Sequence, residues 1–307
     1  MQEAPPISLL VPTRGRTDEL RRLLDSLAGQ DHPRLEVVIA DNNDPGQTIE
    51  ALVEPYRERL AIHHFRSRTG ISQARNDGLP CLRGEVVAFP DDDCWYPPDL
   101  LSRVARLLRD HPGWDGISGQ IMDAEGSRFH GLPGRWPTWI TPINFLDRGC
   151  SFTFFFRRHV IETVGRFDET LGVGAGTPWG SGEESDFLLR ALECGFAIRY
   201  CPEIRVHHPD KELIYGPEMY RRAFSYGCGL GRLLRKHALP LWFVHSWFLR
   251  AMIGVLLGVL SGNLSRVRYH VAVLRGRWAG WRDATPFQDQ GGGVSGIDSD
   301  NGTSFPP

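Results

Sequence analysis

Short apolar runs alternate with amphipathic stretches through the first hundred residues. Ile7 to Val11 is a mainly apolar run closed by Pro12 and reads as a buried strand. Asp18 to Leu27 carries Leu20, Leu23, Leu24 and Leu27 at helical spacing, with Thr17 or Asp18 as the expected N-cap. Leu35 to Ala40 predicts a second strand, ending in the turn-rich Asp41-Asn42-Asn43-Asp44-Pro45-Gly46. Thr48 to Leu60 predicts a helix, Ile62 to Arg66 a strand, Ser72 to Leu82 a helix and Glu85 to Phe89 a strand stopped by Pro90. This alternation predicts right-handed crossovers and an α/β fold with a mostly parallel sheet and flanking helices.

Beyond that the pattern loosens. Pro97 to Asp110 predicts a helix, and residues 112–150, rich in Gly, Pro and Trp, read as irregular structure over a cleft. Ser151 to Phe156 predicts a strand. Glu183 to Cys194 predicts a helix with Gly195 as its C-cap, and Ile198 to Tyr200 and Ile204 to His208 predict two short strands. Leu239 to Leu260 is apolar and aromatic but interrupted by His245 and Arg250. Its unbroken part, Ala251 to Leu260, falls short of the roughly 20 residues of a spanning helix. The expected organisation is an α/β unit over 1–210, with halves at about 5–110 and 111–210. A helical region over 211–284 and a disordered tail over 285–307 follow.

Composition narrows the classes. A net charge of −2 over 307 residues gives no field for nucleic acid. Six scattered cysteines without a Cys-x-x-Cys pair read as reduced thiols, and the first residues lack a signal-peptide pattern, so a cytoplasmic location is expected.

The polar clusters follow strands: Pro12-Thr13-Arg14, Asp41, and Asp91-Asp92-Asp93. In doubly wound sheets ligands sit beyond the carboxyl ends of strands, so these clusters predict one binding lip. Three consecutive carboxylates repel one another and suit a hard cation, Mg²⁺ or Mn²⁺, that bridges to phosphate oxygens. An acidic turn in solvent, or a helix N-cap cluster before Pro97-Pro98, would look the same.

Val11-Pro-Thr-Arg-Gly-Arg16, Asp41, Ala74-Arg-Asn-Asp-Gly78, Asp91-Asp92-Asp93, Trp179-Gly-Ser-Gly-Glu-Glu-Ser-Asp-Phe187 and Val206-His-His-Pro209 occur in this order. Together they resemble the family 2 glycosyltransferases of GT-A fold, over roughly residues 5–210. The resemblance implies a nucleotide-diphospho-sugar donor, a divalent metal and inverting transfer to an acceptor. It places Pro12, Thr13 and Arg14 in the nucleotide pocket, Asp41 on the base and Arg75 near the base or diphosphate. Asp91 and Asp92 would contact ribose or metal, and Asp93 would ligate the metal, with His208, or else His207, completing the shell. Glu184, or else Glu183, would take the proton from the acceptor hydroxyl. Ala40-Asp41-Asn42-Asn43 departs from the family's usual acidic pair followed by Gly-Ser, which leaves the base open.

Other roles compete for these residues. Acidic groups also suit a helix's first turn, histidines are often structural, and Asp41 also suits a turn cap. Trp95, Trp136, Trp139 and Trp179 are placed to stack on sugar rings or to pack in the core, with Trp95 and Trp179 the acceptor candidates. From 239 to 282 the apolar aromatics and arginines have no acidic residue among them, which suits a helix pair on an anionic membrane face. That would fit a lipid-linked rather than a free saccharide acceptor; a hairpin packed on the catalytic unit or on a second subunit is the alternative. A sugar-nucleotide pyrophosphorylase would need a Gly-rich, Lys-containing loop after the first strand, which Val11 to Arg16 lacks. A non-catalytic nucleotide-sugar-binding protein on the same scaffold is the third reading.

Overall fold

The computed structural model describes residues 4–127, 136–209 and 213–287. Most of the expected tail lies outside these residues. Within them, Pro286 and Phe287 rest on Arg232, through a 3.0 Å bond from its guanidinium and a cation–ring contact.

The first four strands are β1 (Ile7–Thr13), β2 (Leu35–Asp41), β3 (Ala61–Arg66) and β4 (Val86–Ala88). They run parallel, in the order β3-β2-β1-β4. Period-2 alternation sends their side chains to two cores. Ile7, Leu9, Val11, Val37, Ile39, Val86 and Ala88 face one cluster, with α1 (Thr17–Ala28) and α4 (Leu100–Asp110). Leu10, Val38, Ala40 and Val87 face the other. The N-cap of α1 is Arg16, without a side-chain cap bond, rather than Thr17 or Asp18.

Proline shortens two of the expected helices. Only α2 (Glu50–Val53) forms in the 48–60 stretch, where Pro55 sits in a 3₁₀ turn. Likewise α3 (Ile71–Gly78) gives way to 3₁₀ geometry at Pro80.

The second half of the sheet departs from the parallel expectation. β5 (Gly116–Met122) lies inside the stretch read as irregular and is buried along its whole length. β6 (Thr138–Trp139) and β7 (Phe154–Arg157) follow. β7 enters antiparallel between β4 and β5, so the sheet is mixed. The two short strands expected at 198–208 form one, β8 (Ile198–His207), parallel to β5 and edged by antiparallel β6. α5 (Arg158–Val164) and α6 (Glu183–Glu193) pack on this half.

Three helices end the described chain: α7 (Pro217–Lys236), α8 (Leu241–Leu260) and α9 (Leu264–Arg282). α7 and α9 pack backbone to backbone. A methyl group at Gly276 would fall on the Phe224 carbonyl, and one at Gly280 on the Cys228 carbonyl. α8 corrects the estimate of a short apolar run. It is 20 residues long with mean hydropathy 1.7, long and apolar enough to cross a membrane by length and composition, and only Phe243, Val244, Ala251, Gly254 and Gly258 of it are buried.

Gly280→Leu is expected to lower stability by at least about 1–3 kcal/mol through overpacking. Denaturant unfolding checks this, and an unchanged midpoint would contradict the close α7–α9 contact.

Candidate active site

The carboxyl ends of β1, β2 and β4 form one wall of a cavity of about 430 Å³. Pro12, Thr13, Arg14 and the Asp91-Asp92-Asp93 turn line this side. Ser151, Glu183, Glu184 and His208 line the other.

Asp91, Asp93 and His208 bring ligand atoms that all lie within 4.8 Å of one another. His208 Nε2 is 3.2 Å from Asp93 Oδ1, and the ring stacks on Phe152 at 4.9 Å. His208 Nδ1 sits 2.9 Å from the Pro209 carbonyl, which can only accept, and this contact leaves Nε2 facing the carboxylates. Two hard oxygens and an imidazole nitrogen suit Mn²⁺ or Mg²⁺. The neighbouring His207 is directed elsewhere: Nδ1 meets the Asp123 carbonyl at 2.9 Å and the ring stacks on Trp95.

Asp92 is turned into the wall. It accepts from Thr13 Oγ1 at 2.9 Å and from Arg16 Nη1 at 2.9 Å, and Arg16 reaches Asp93 at 2.8 Å as well. Burial pushes its carboxyl up to about 6 against the pull of Arg16. Burial also raises Asp91, opposed by Arg75. Arg16 is thus a principal counter-charge to the triplet, and its only sequence signal was its place at the end of the Val11–Arg16 motif.

Arg75 is fully buried and bridges two residues of the cavity wall, 3.4 Å from Asp91 and 3.2 Å from Glu183. α6 begins at Gly182, whose φ of +97° is a conformation natural to glycine. That turn puts Glu183 against Arg75 and leaves Glu184 facing the cavity. Burial and the Glu183 carboxylate push Glu184 up, to about 8. One turn on, Asp186 is buried and held by Lys236 at 2.7 Å, Arg190 at 2.9 Å and His237 at 2.9 Å. Despite burial, the His237 hydrogen bond and the cations of Lys236 and Arg190 keep it well below the usual carboxylate range. This cluster fixes α6 to the end of α7, and with it the direction of Glu184.

Asp41 and the expected tryptophans lie away from the cavity wall. Asp41 is buried beneath the lip, accepting from the Asn43 amide, the Asn43 side chain and Arg66 at 2.8–3.0 Å, while Asn42 lines the cavity. Arg14 lines it and pairs with Asp44 at 2.8 Å. Trp95 lies under Arg22 at 4.1 Å, and Trp179 is buried under Arg232 at 4.3 Å. Trp139 packs edge-on to Trp114, and Trp136 is exposed. The aromatic ring that does line the cavity is Tyr226 of α7, beside Arg222. Nothing in the local sequence of α7 marked it, because its place depends on how the helix docks.

Residues 8–165 match the family model described as Glycosyl transferase family 2. The succinoglycan biosynthesis protein ExoM of Rhizobium meliloti is 30% identical over 245 residues, covering 73% of this chain and 74% of that protein. Glycosyltransferase AglE of Haloferax volcanii is 23% identical over 290 residues, 87% of this chain and 84% of AglE. The chain spans 56% of the pre-mycofactocin glycosyltransferase of Mycobacterium tuberculosis, at 28% identity over 286 residues. Among solved structures, the mannosyltransferase PcManGT from Pyrobaculum calidifontis, in complex with GDP-Man and Mn²⁺, superposes with a TM-score of 0.61. It is 17% identical, with 91% of this chain and 88% of that one covered. TarS 1–349 of S. aureus, in complex with UDP-GlcNAc, gives 0.56 at 18% identity, with 88% and 92% covered. These likenesses show the GT-A fold.

Asp93→Ala and His208→Ala are each expected to weaken Mn²⁺ binding at least about tenfold, while His207→Ala leaves it nearly unchanged. Titration followed by electron paramagnetic resonance checks this. Equal affinities in all three would remove the cluster as a metal site.

Proposed function

Since the chain belongs to the family 2 glycosyl transferases, we propose that it is an inverting, divalent-metal-dependent enzyme. In this reading it moves a sugar from a nucleotide diphosphate to a saccharide or lipid-linked acceptor, in polysaccharide or glycolipid assembly. The observation that carries the reading is the position of Glu184. Its carboxylate stands where the cavity of the acidic triplet meets a second cavity, of about 530 Å³, between α6, α7 and α9. A base between a donor space and an acceptor space is what single-displacement transfer needs.

Asp93, Asp91 and His208 would hold the metal. Bound there, a divalent ion supplies Lewis-acid neutralisation of a departing diphosphate. Pro12, Thr13, Arg14 and Asn42 bound the nucleotide, and Asp41 holds the base loop through Asn43 and Arg66. At Glu184 the acceptor hydroxyl gives up its proton. Its oxygen bonds the anomeric carbon as the bond from that carbon to phosphate oxygen breaks, on the opposite face. Burial makes Glu184 a stronger base than an exposed carboxylate. Glu183, committed to Arg75, positions it.

A membrane-surface location for α8 and α9 accords with this role. Leu241, Trp242, Leu249, Leu256, Val259 and Leu260 of α8 are exposed, and Arg268, Arg275 and Arg282 of α9 are exposed beside them in sequence. The name of ExoM as a succinoglycan biosynthesis protein supports polysaccharide assembly. The family match favours this reading over a pyrophosphorylase.

Glu184→Gln is expected to keep Mn²⁺-dependent binding of nucleotide diphosphate while lowering transfer by about 10²–10⁴-fold. Near-normal transfer would exclude Glu184 as the base. The base must be ionised, and its pKa is raised, to about 8. In the wild type, kcat/KM should therefore climb with pH through the neutral range and level off above it. A flat profile from about pH 6 to 9 would contradict this assignment.

A further inference from the structure

The second cavity borders the first through Ser181, Glu184, His208, Arg222 and Tyr226. Away from that border its wall is mainly apolar, with Leu146, Met219, Ala223, Leu230, Leu233 and Val273. At about 530 Å³ it has the size of a small-ligand site rather than a protein groove.

Two arginines interrupt the apolar wall. Arg222 donates to the Tyr226 hydroxyl at 3.0 Å, and Arg277 donates to the Trp247 carbonyl. Neither forms an ion pair among the described residues. Arg277 is half-buried, and burial pulls its guanidinium down to about 10. A cation withdrawn from water beside an apolar surface is costly until an anion meets it. A neutral saccharide would bring neither Arg222 nor the half-buried Arg277 a counter-ion and would leave the apolar wall uncovered. The combination suits a molecule that is anionic at one point and apolar beyond it.

We infer that this cavity is the acceptor site and that the acceptor is an anionic amphiphile. Its hydroxyl lies at Glu184, its phosphate meets Arg222 and Arg277, and its hydrocarbon chain lies along the apolar wall of Leu146, Met219, Ala223, Leu230, Leu233 and Val273. The placement of the hydroxyl rests on the glycosyltransferase reading; the binding of phosphate and chain does not. In the transfer step the acceptor oxygen bonds the sugar carbon, nucleotide diphosphate leaves, and the hydroxyl proton passes to Glu184.

Calorimetric titration of the full chain with decyl phosphate and decyl glucoside, both below their micellar concentrations, and with inorganic phosphate tests this. Decyl phosphate is expected to bind at least about tenfold more tightly than either other probe. Arg222→Ala and Arg277→Met are each expected to weaken it about tenfold, the loss of one charge-assisted hydrogen bond. Arg222 is exposed, so Arg222→Ala keeps the test valid if Arg277→Met does not fold. Leu256→Asp, on the exposed face of α8, should leave decyl phosphate binding in place. The inference falls if inorganic phosphate binds as tightly as decyl phosphate, or if Arg222→Ala binds like wild type. It also falls if Leu256→Asp alone removes binding, which would mean that the probe coats α8. Mn²⁺-dependent binding of nucleotide diphosphate, followed on the same samples, separates the two readings. Its absence beside intact decyl phosphate binding sinks the enzyme reading and leaves the groove; the reverse sinks the groove alone.

Discussion

The site depends on one guanidinium. Arg75 has no exposed surface and is held between Asp91, at the end of β4, and Glu183, at the start of α6. These carboxylates come from opposite halves of the sheet, and without a cation between them their burial together would be strongly unfavourable. Arg75 allows an acidic turn and an acidic helix start to face each other across a few ångströms. Because Glu183 is taken up in this pair, Glu184 is left as the acid that faces the open space.

The same logic extends outward. Arg16 counters Asp92 and Asp93 beyond the ends of β1 and β4, and Lys236, Arg190 and His237 counter Asp186 on α6. Apart from Glu184, these buried carboxylates near the cavity are matched by cations from distant parts of the chain. Only on the α7–α9 side does the balance reverse, with arginines in an apolar wall. The charge pattern of the cavity pair is therefore graded, from a cation-seeking end to an anion-seeking end, with Glu184 between them.

Much of this was legible in the sequence, for physical reasons. β1, β2 and β4 are apolar runs stopped by proline or turn residues, and the polar groups after them had to fall on one edge of a parallel sheet. The Glu183-Glu184 helix start and the His208-Pro209 step carry short motifs of their own. β5 escaped notice because Gly116-Ile-Ser-Gly-Gln-Ile-Met122 is buried on both faces, which erases alternation, while its glycines and polar residues mimic a loop. The antiparallel entry of β7 leaves no trace in its own Phe-rich run. Partners such as Arg75 with Glu183, or Arg16 with the triplet, lie far apart in sequence, so spacing does not reveal them. The tryptophans misled because large rings serve packing as readily as recognition: Trp95 and Trp179 are each covered by an arginine.

β7 has a bearing on how the chain is assembled. It fills the slot between β4 and β5, so the first four strands have an unpaired inner edge until everything through Arg157 has been synthesised. An open edge beside a buried apolar strand invites wrong pairing. The nascent chain must therefore carry the first four strands past the ribosome in an unfinished state, closed only when a later segment threads back into the middle. The same segment, just ahead of β7, brings Ser151 to within 3.3 Å of Asp91, so closing the gap in the sheet and completing the acidic edge are one event.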